Sequence, residues 1–417
     1  MPGMALEGIR VVDATQAWAG PAATLVLADM GAEVIKVESI QRIDGWRLFN
    51  QIRPTEDGWW ERSAHYNSVN RNKHNVTLDL TRPRGAQIFK QLVKIGDMVT
   101  ENYTPRVMRN FGLDYPVLKE INPSIVMMSM PGWGMTGPWR DFVGFGATVE
   151  QFSGLCQLSG YPDGGPILLG SAMAIGDPVG ALNAAFALLI ALQHRRRTGR
   201  GQYIDLSQNE EISTLIGDAI MDYTLNKRVQ ARRGNRHPCM APHGCYRCRD
   251  ENNEDKWVVI AVSSDEAWMN LARAMGNPAW ANEQRFSDPL SRWQNQDELD
   301  KLIEEWTRQH THYEIMTSLQ AVGVAAAAVF SPAELLSDPH LKERGFFENI
   351  TLPQVGGTHP YPGFFYKMSK TPGRVRKPTP TLGQDNEFVL GELLGLSRAE
   401  IAQLAEEKII GTRPLGV

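Results

Sequence analysis

The chain has 417 residues, of which 42% are hydrophobic and 22% charged. That is the composition of a globular protein with a sizeable core and argues against long-range disorder. Lys plus Arg number 43 against 47 Asp plus Glu, a formal charge of −4, which argues against a protein that coats nucleic acid or an anionic membrane. Four cysteines are too few for a disulfide-stapled secreted fold and fit a reducing cytoplasm. The N-terminal residues carry no basic stretch followed by an apolar one, so no signal peptide is visible. The longest apolar run, 184–192, has nine residues, against the ~18 of a membrane span.

Residues 9–13 (Ile-Arg-Val-Val-Asp) read as a buried strand. Gly20-Pro21 opens a helix over 22–30 and Gly31 closes it, with proline in the tolerated first turn. Residues 33–38 form a second strand. A strand–helix–strand unit this short predicts a parallel pair with a right-handed crossover, the start of a doubly wound α/β sheet. Strands are expected at 76–80, 98–101 and 125–130, and helices at 85–95, 107–111 and 116–121. No G-x-G-x-x-G follows the first strand, which argues against an NAD or FAD enzyme.

Asp177-Pro178 begins a long helix whose apolar surface is Leu182, Phe186, Leu189, Ile190 and Leu192. Arg195–Arg197 suit the negative end of its dipole, and Gly199 stops it. A strand at 203–206 leads to Ser207-Gln208-Asn209-Glu210, which fits a capping box. The basic stretch 228–236 reads as a hinge into a smaller α+β region with a strand at 257–262 and helices at 267–275 and 299–306. Prolines and glycines cluster over 353–380, predicting an extended surface segment. A last helix is expected at 398–408. The resulting boundaries are 1–227, 228–325 and 326–417: an α/β fold with a Rossmann-like large domain, a smaller α+β domain between, and a C-terminal segment returning to the first.

Three constellations could carry chemistry. Asp177 is placed to cap its helix. A carboxylate kept ionised there by the dipole, with the small residues 170–176 before it, is also a competent nucleophile. His237, Cys239, His243, Cys245 and Cys248 include one C-x-x-C, but no second pair follows, so ordinary loop and strand residues are the expectation and no metal is assigned. Arg71, Lys73, Arg106, Arg109 and Arg140 fall near strand ends or loops, where phosphate binding competes with solvated surface charge.

Asp13-Ala14-Thr15, Ala19-Gly20-Pro21 and residues 27–38 (LADMGAEVIKVE) resemble the N-terminal signature of class III CoA-transferases. This is the formyl-CoA transferase and carnitine CoA-transferase family, which also contains α-methylacyl-CoA racemase. The resemblance continues through Asn70-Arg71-Asn72-Lys73, Glu101-Asn102-Tyr103, Gly176-Asp177, residues 197–202 (RTGRGQ) and Asp338-Pro339-His340-Leu341. It implies a dimer of interlocked chains, either a homodimer or a pair of homologous subunits, with coenzyme A as substrate and no tightly bound cofactor. It implies that Asp177 is the catalytic aspartate, passing through an aspartyl–acyl anhydride and an aspartyl-CoA thioester. It places CoA contacts at Ala17, Trp18, Arg71, Lys73, Leu78, Thr81, Asn102, Tyr103, Arg106, Arg109 and Arg140. Substrate or lid positions fall at Phe145, His237, Met240 and Ala241.

The chain departs from the family pattern at informative places. Trp18 replaces a glutamine of formyl-CoA transferase, which disfavours a tiny acyl group. Residues 236–244 replace a glycine-rich lid, implying a less flexible one. Asn110 stands where an arginine is common, leaving Arg106 or Arg109 for the phosphates. Phe145 stands where the racemase branch has a histidine, and phenylalanine cannot shuttle a proton. The sequence thus favours CoA transfer between carboxylic acids, with succinyl-CoA a candidate donor. A racemase-type isomerase, or one subunit of a heteromeric transferase, is the alternative.

Overall fold

The computed structural model describes residues 3–49, 56–169 and 174–415. The chain forms two compact units: one from residues 1–156, 168–229 and 340–417, the other from 157–167 and 230–339. The second unit therefore extends past the expected boundary at 325, and it takes in an eleven-residue segment that the sequence reading left in the large domain.

The larger unit is built on six parallel strands: β1 (Arg10–Asp13), β2 (Glu33–Glu38), β3 (Lys73–Thr77), β4 (Met98–Glu101), β5 (Val126–Ser129) and β6 (Tyr203–Asp205). Their order is β3-β2-β1-β4-β5-β6, the doubly wound arrangement with its switch point between β1 and β4. Val11, Val12, Val34 and Ile35 are all fully buried, because layers cover both faces and the strands need not alternate apolar with polar. On one side Val12, Ile35, Val76 and Val99 pack with helix α2 (Pro83–Ile95) through Ile88, Phe89, Leu92 and Val93. On the other, Val11, Val34, Met98 and Met128 pack with α1 (Ala19–Asp29) through Ala23, Leu27 and Ala28. The same side takes the helix Gly176–Thr198 through Ala181, Ala184, Leu188 and Ala191.

Short helix α3 (Gly146–Phe152) precedes that long helix, α4 (Gly176–Thr198), and α5 (Gln208–Thr214) follows it. Alanine and glycine on the facing sides of α1 and α4 let the two helices approach closely. Gly199 ends α4 at φ 70°, and its N–H bonds Arg195 O at 2.7 Å. That geometry suits glycine because a Cβ disfavours the left-handed region. Among the described residues, α4 is the one helix long and apolar enough to cross a membrane, and 44% of its apolar stretch is buried inside the protein.

In the smaller unit, β7 (His243–Arg247), β8 (Trp257–Ala261) and β9 (Ala325–Ala328) form an antiparallel sheet. It packs on α6 (Asp265–Ala274), α7 (Gln296–Thr307) and α8 (His312–Ala321) through Trp268, Leu271, Leu299, Ile303 and Leu319. The segment expected to lack regular elements contains one: β10 (Phe347–Thr351) pairs with β11 (Thr358–Pro362). Pro360 and Pro362 are admitted because this two-stranded sheet has edges on both sides.

Candidate active site

Loops leaving the carboxyl ends of β1 and β4 meet at the switch point. Asn102, just past β4, clasps Gln16: its Oδ1 accepts the Gln16 N–H at 2.8 Å and its Nδ2 donates to Gln16 O at 2.7 Å. The Tyr103 hydroxyl accepts from Gln16 Nε2 at 3.2 Å. Ala17 adopts φ 62°, and its N–H donates to Asp44 Oδ1 at 2.9 Å. Trp18 then leads into α1, its ring edge-on to Trp46 at 5.7 Å. Four of the expected contact positions, Ala17, Trp18, Asn102 and Tyr103, are thereby gathered at one crevice, where open α/β sheets bind ligands.

Asp177 faces the first turn of α1. The Ala19 N–H, in that turn, favours the charged form of its carboxylate. Burial pushes the carboxyl up to about 6, and the Glu150 carboxylate pushes the same way against that N–H. Contrary to the sequence expectation, Asp177 is not the cap of its helix. Ile175 holds the cap position without a side-chain bond, Gly176 is the first residue and Asp177 the second. Glu150, buried on α3, accepts the Gly176 N–H at 3.4 Å and the Leu169 N–H at 3.0 Å. A neighbouring helix thus performs the capping, and the Asp177 carboxylate is left for other work. Gly146 makes room for it: a Cβ there would lie 2.0 Å from Asp177 Oδ2. Phe145, immediately before, is 71% exposed. The small residues 170–173 that precede Asp177 in sequence lie outside the described residues.

Other expected contacts are placed elsewhere. Lys73 is fully buried, its Nζ bonded to Asp13, Pro21 O, Thr24 and Asn70 at 2.8 to 3.1 Å. Arg71 is turned inward onto Asp29 at 2.7 Å. Leu78 is a core residue packed with α2. Lys73 and Arg71 thus pair their charges inside the protein, and Leu78 places its side chain in the core. A buried cation must keep its carboxylate partners, and none of the three has a side chain free for a ligand. Thr81 is exposed and bonds Asp79 at 2.6 Å. Arg106, Arg109 and Arg140 are exposed. Arg109 stands 3.9 Å from Asp114 and Arg140 3.3 Å from Asp141, loose pairs that leave both guanidinium groups accessible.

The lid residues belong to the smaller unit. His237 Nδ1 accepts the Cys239 N–H at 3.3 Å, Met240 is half-buried, and Ala241 is buried with its carbonyl on Arg292 at 3.3 Å. Cys245 lies on β7 and Cys248 three residues on, which directs them to opposite faces of an extended chain. Among the described residues no three His, Cys, Asp or Glu side chains are grouped to hold a metal ion.

Three site residues escaped the sequence reading. Gly146 had a signal, the Gly144-Phe145-Gly146 spacing, but nothing local tied it to residue 177. Glu150 and Asp44 act across 26 and 27 residues of chain, where no periodicity reports them. Glu101, fully buried at the end of β4, is a further case. Its Oε2 accepts the Tyr103 N–H at 2.8 Å, and burial outweighs that bond, raising the carboxyl to about 7. An acid raised in the folded state holds its proton more tightly there, so stability falls as pH climbs from about 4.5 through 7. Glu101→Gln keeps an acceptor and removes the charge. It should stabilise the fold at pH 8 by on the order of 2 kcal/mol, read as a higher thermal midpoint, and change little at pH 4. Equal midpoints at pH 8 would refute the assignment.

The fold is an α/β one with a switch point of the kind where ligands bind, and the Asp177 carboxyl near the first turn of α1 is raised to about 6. The model of CoA-transferase family III matches residues 6–386, and the chain belongs to that family and is an enzyme of its class. It is similar to the succinyl-CoA–D-citramalate CoA-transferase of Chloroflexus aurantiacus, 35% identical over 98% of this chain and 99% of that one. The β subunit of succinyl-CoA–L-malate CoA-transferase from the same organism is 34% identical over 97% and 98%. A CaiB/BaiF family protein from Brucella suis shares the architecture, with a TM-score of 0.83 and 29% identity over 94% of this chain and all of that one.

Proposed function

We propose that this protein is a cytoplasmic CoA-transferase that moves coenzyme A from succinyl-CoA to a second carboxylic acid, with Asp177 as the covalent nucleophile. The observation that carries the reading is the Asp177 carboxylate, its charged form favoured by the Ala19 N–H and its space left by the side-chain-free Gly146. The Asp177 oxygen attacks the thioester carbonyl, the C–S bond breaks, and CoA leaves as thiolate. The thiolate then attacks the aspartyl carbonyl of the mixed anhydride, releasing the donor acid and giving an aspartyl-CoA thioester. The acceptor carboxylate attacks that thioester and expels the thiolate. The thiolate returns to the acceptor's carbonyl, forming the new thioester and restoring Asp177. No net proton moves, and the anhydrides preserve the activation of the thioester. When the aspartyl carbonyl is attacked, charge develops on an Asp177 oxygen, where the Ala19 N–H is placed to stabilise it.

Ala17, Trp18, Asn102 and Tyr103 would line the CoA path, with Arg106, Arg109 and Arg140 as the accessible cations for its phosphates. Succinyl-CoA as donor rests on the names of the relatives, and the acceptor is proposed within the same class, a four- or five-carbon dicarboxylic acid. The racemase alternative loses support at Phe145, which offers no titratable group. The exposed apolar residues Leu182, Phe186 and Ile190 on α4 support a dimer, with a second copy or a homologous chain.

The test is direct. Incubation with succinyl-CoA and a panel of dicarboxylic acids should yield a second CoA ester. Hydroxylamine added during turnover should label Asp177 and no other residue. Absence of label during active transfer would refute the covalent route.

A further inference from the structure

The backbone between β1 and α1 is anchored by side chains, residue by residue. Ala14 still reaches the sheet through its N–H to Thr100 O at 2.9 Å. Asp13 then accepts the Thr15 N–H at 3.0 Å, and Lys36 donates to Thr15 O at 2.8 Å. Asn102 makes both backbone bonds of Gln16, and Asp44 takes the N–H of Ala17. The other Asp44 oxygen meets Lys36 Nζ at 2.9 Å, both side chains sealed from solvent. Next come Ala17 at φ 62° and Trp18 at φ −111°, ψ −62°. A left-handed residue followed by a right-handed one turns successive N–H groups toward one side. Alanine adopts that conformation only where its surroundings impose it, at a cost of about 1 kcal/mol or more. The next N–H, that of Ala19, is the one that favours the charged form of Asp177.

An amide side chain can donate and accept at once. Asn102 uses both capacities on one residue, continuing the β4–β1 ladder past the point where their backbones part.

We propose that Asn102 and Asp44 are positioning residues for acyl transfer: they impose the Gln16–Ala17 turn that aims the Ala19 N–H at the Asp177 carboxylate. The inference rests on Asp177 being the nucleophile. Neither side chain touches the reacting atoms.

The wild-type enzyme is assayed first for transfer and for hydroxylamine labelling at Asp177. Failure there counts against the nucleophile, not against the positioning. With the wild type active, Asn102→Ala and Asn102→Asp should lower kcat about 10- to 100-fold. KM for the CoA thioester should change less than about threefold, because both polar atoms of the Asn102 side chain are spent on Gln16. Asp44→Ala should behave as Asn102→Ala does. Asp44→Asn, which retains an acceptor for Ala17, should recover most of kcat. The acid limb of kcat/KM should also move to higher pH, because the carboxyl loses an N–H that favours its charged form. The ionisable groups on elements packed around α4 are Asp29 on α1, Glu150 on α3 and Glu210 and Glu211 on α5. All stay in place in these variants, so a moved limb reports the Ala19 contact. An unchanged kcat, or a loss confined to KM for the CoA thioester, overturns the proposal. The latter result would make Asn102 a direct CoA ligand.

Discussion

Asp177→Ala should abolish CoA transfer, lowering kcat/KM by about 10⁴-fold or more, and should at the same time raise thermal stability at neutral pH. The first effect follows from removing the atom that bonds to the acyl group. The second follows from the same carboxylate's surroundings. Burial and the Glu150 charge lift its titration to about 6 from an ordinary 3.8. The folded state therefore holds this proton more tightly than the unfolded chain. Stability contributed by the protonated form is lost as pH rises from about 4 through 6, and a side chain with nothing to ionise avoids the loss. Midpoints of wild type and variant should accordingly diverge in the variant's favour above pH 6 and converge near pH 4. In the wild type, kcat/KM should climb about tenfold per pH unit below 6 and level off above it, since only the ionised carboxylate attacks. Asp177→Asn, of equal shape, should be inactive too, separating loss of the nucleophile from loss of volume. Transfer at an undiminished rate in either variant would place the nucleophile elsewhere.

The first 38 residues show how much of the fold can be read without coordinates. Apolar runs bounded by Gly20-Pro21 and Gly31 place two strands and the helix between them within three residues of their observed ends, because local periodicity and punctuation decide them. β3 shows the limit. It was expected at 76–80 and lies at Lys73–Thr77, since Lys73 and Asn75 are polar residues that the sheet buries. Their acceptability depends on Asp13, Asn70 and Glu38, partners that periodicity does not report. The same limit applies to Arg71 and Lys73. A cation near a strand end looks alike in sequence whether it faces a phosphate or an internal carboxylate, and Asp29 and Asp13 settle the matter from 42 and 60 residues away. Asp177 stood out because its motif carried it, but its position did not: helix entry falls two residues earlier than a capping aspartate requires, and Glu150 supplies the cap.

Gly146→Ala tests whether the space around the nucleophile is as tight as the geometry implies. The glycine does not adopt a left-handed φ, and alanine is favoured over glycine within a helix. Backbone preference therefore predicts a neutral or slightly stabilising change. Contact predicts the opposite, because the new methyl would sit 2.0 Å from Asp177 Oδ2 and 3.0 Å from the Ala174 Cβ. The carboxylate must swing aside, which strains α4's first turn and changes its place relative to the Ala19 N–H. Misplacing a reacting group by about 1 Å costs on the order of 10²-fold, so kcat/KM should fall by about that factor, with stability reduced by about 1 to 2 kcal/mol. The two causes separate in a double-mutant cycle. With Asp177 already alanine, the carboxylate is gone and only the lesser contact with Ala174 remains. Gly146→Ala should then cost little or even stabilise. If the methyl destabilises both backgrounds equally, the crowding arises from some other neighbour, and Gly146 is not what gives Asp177 its room to act.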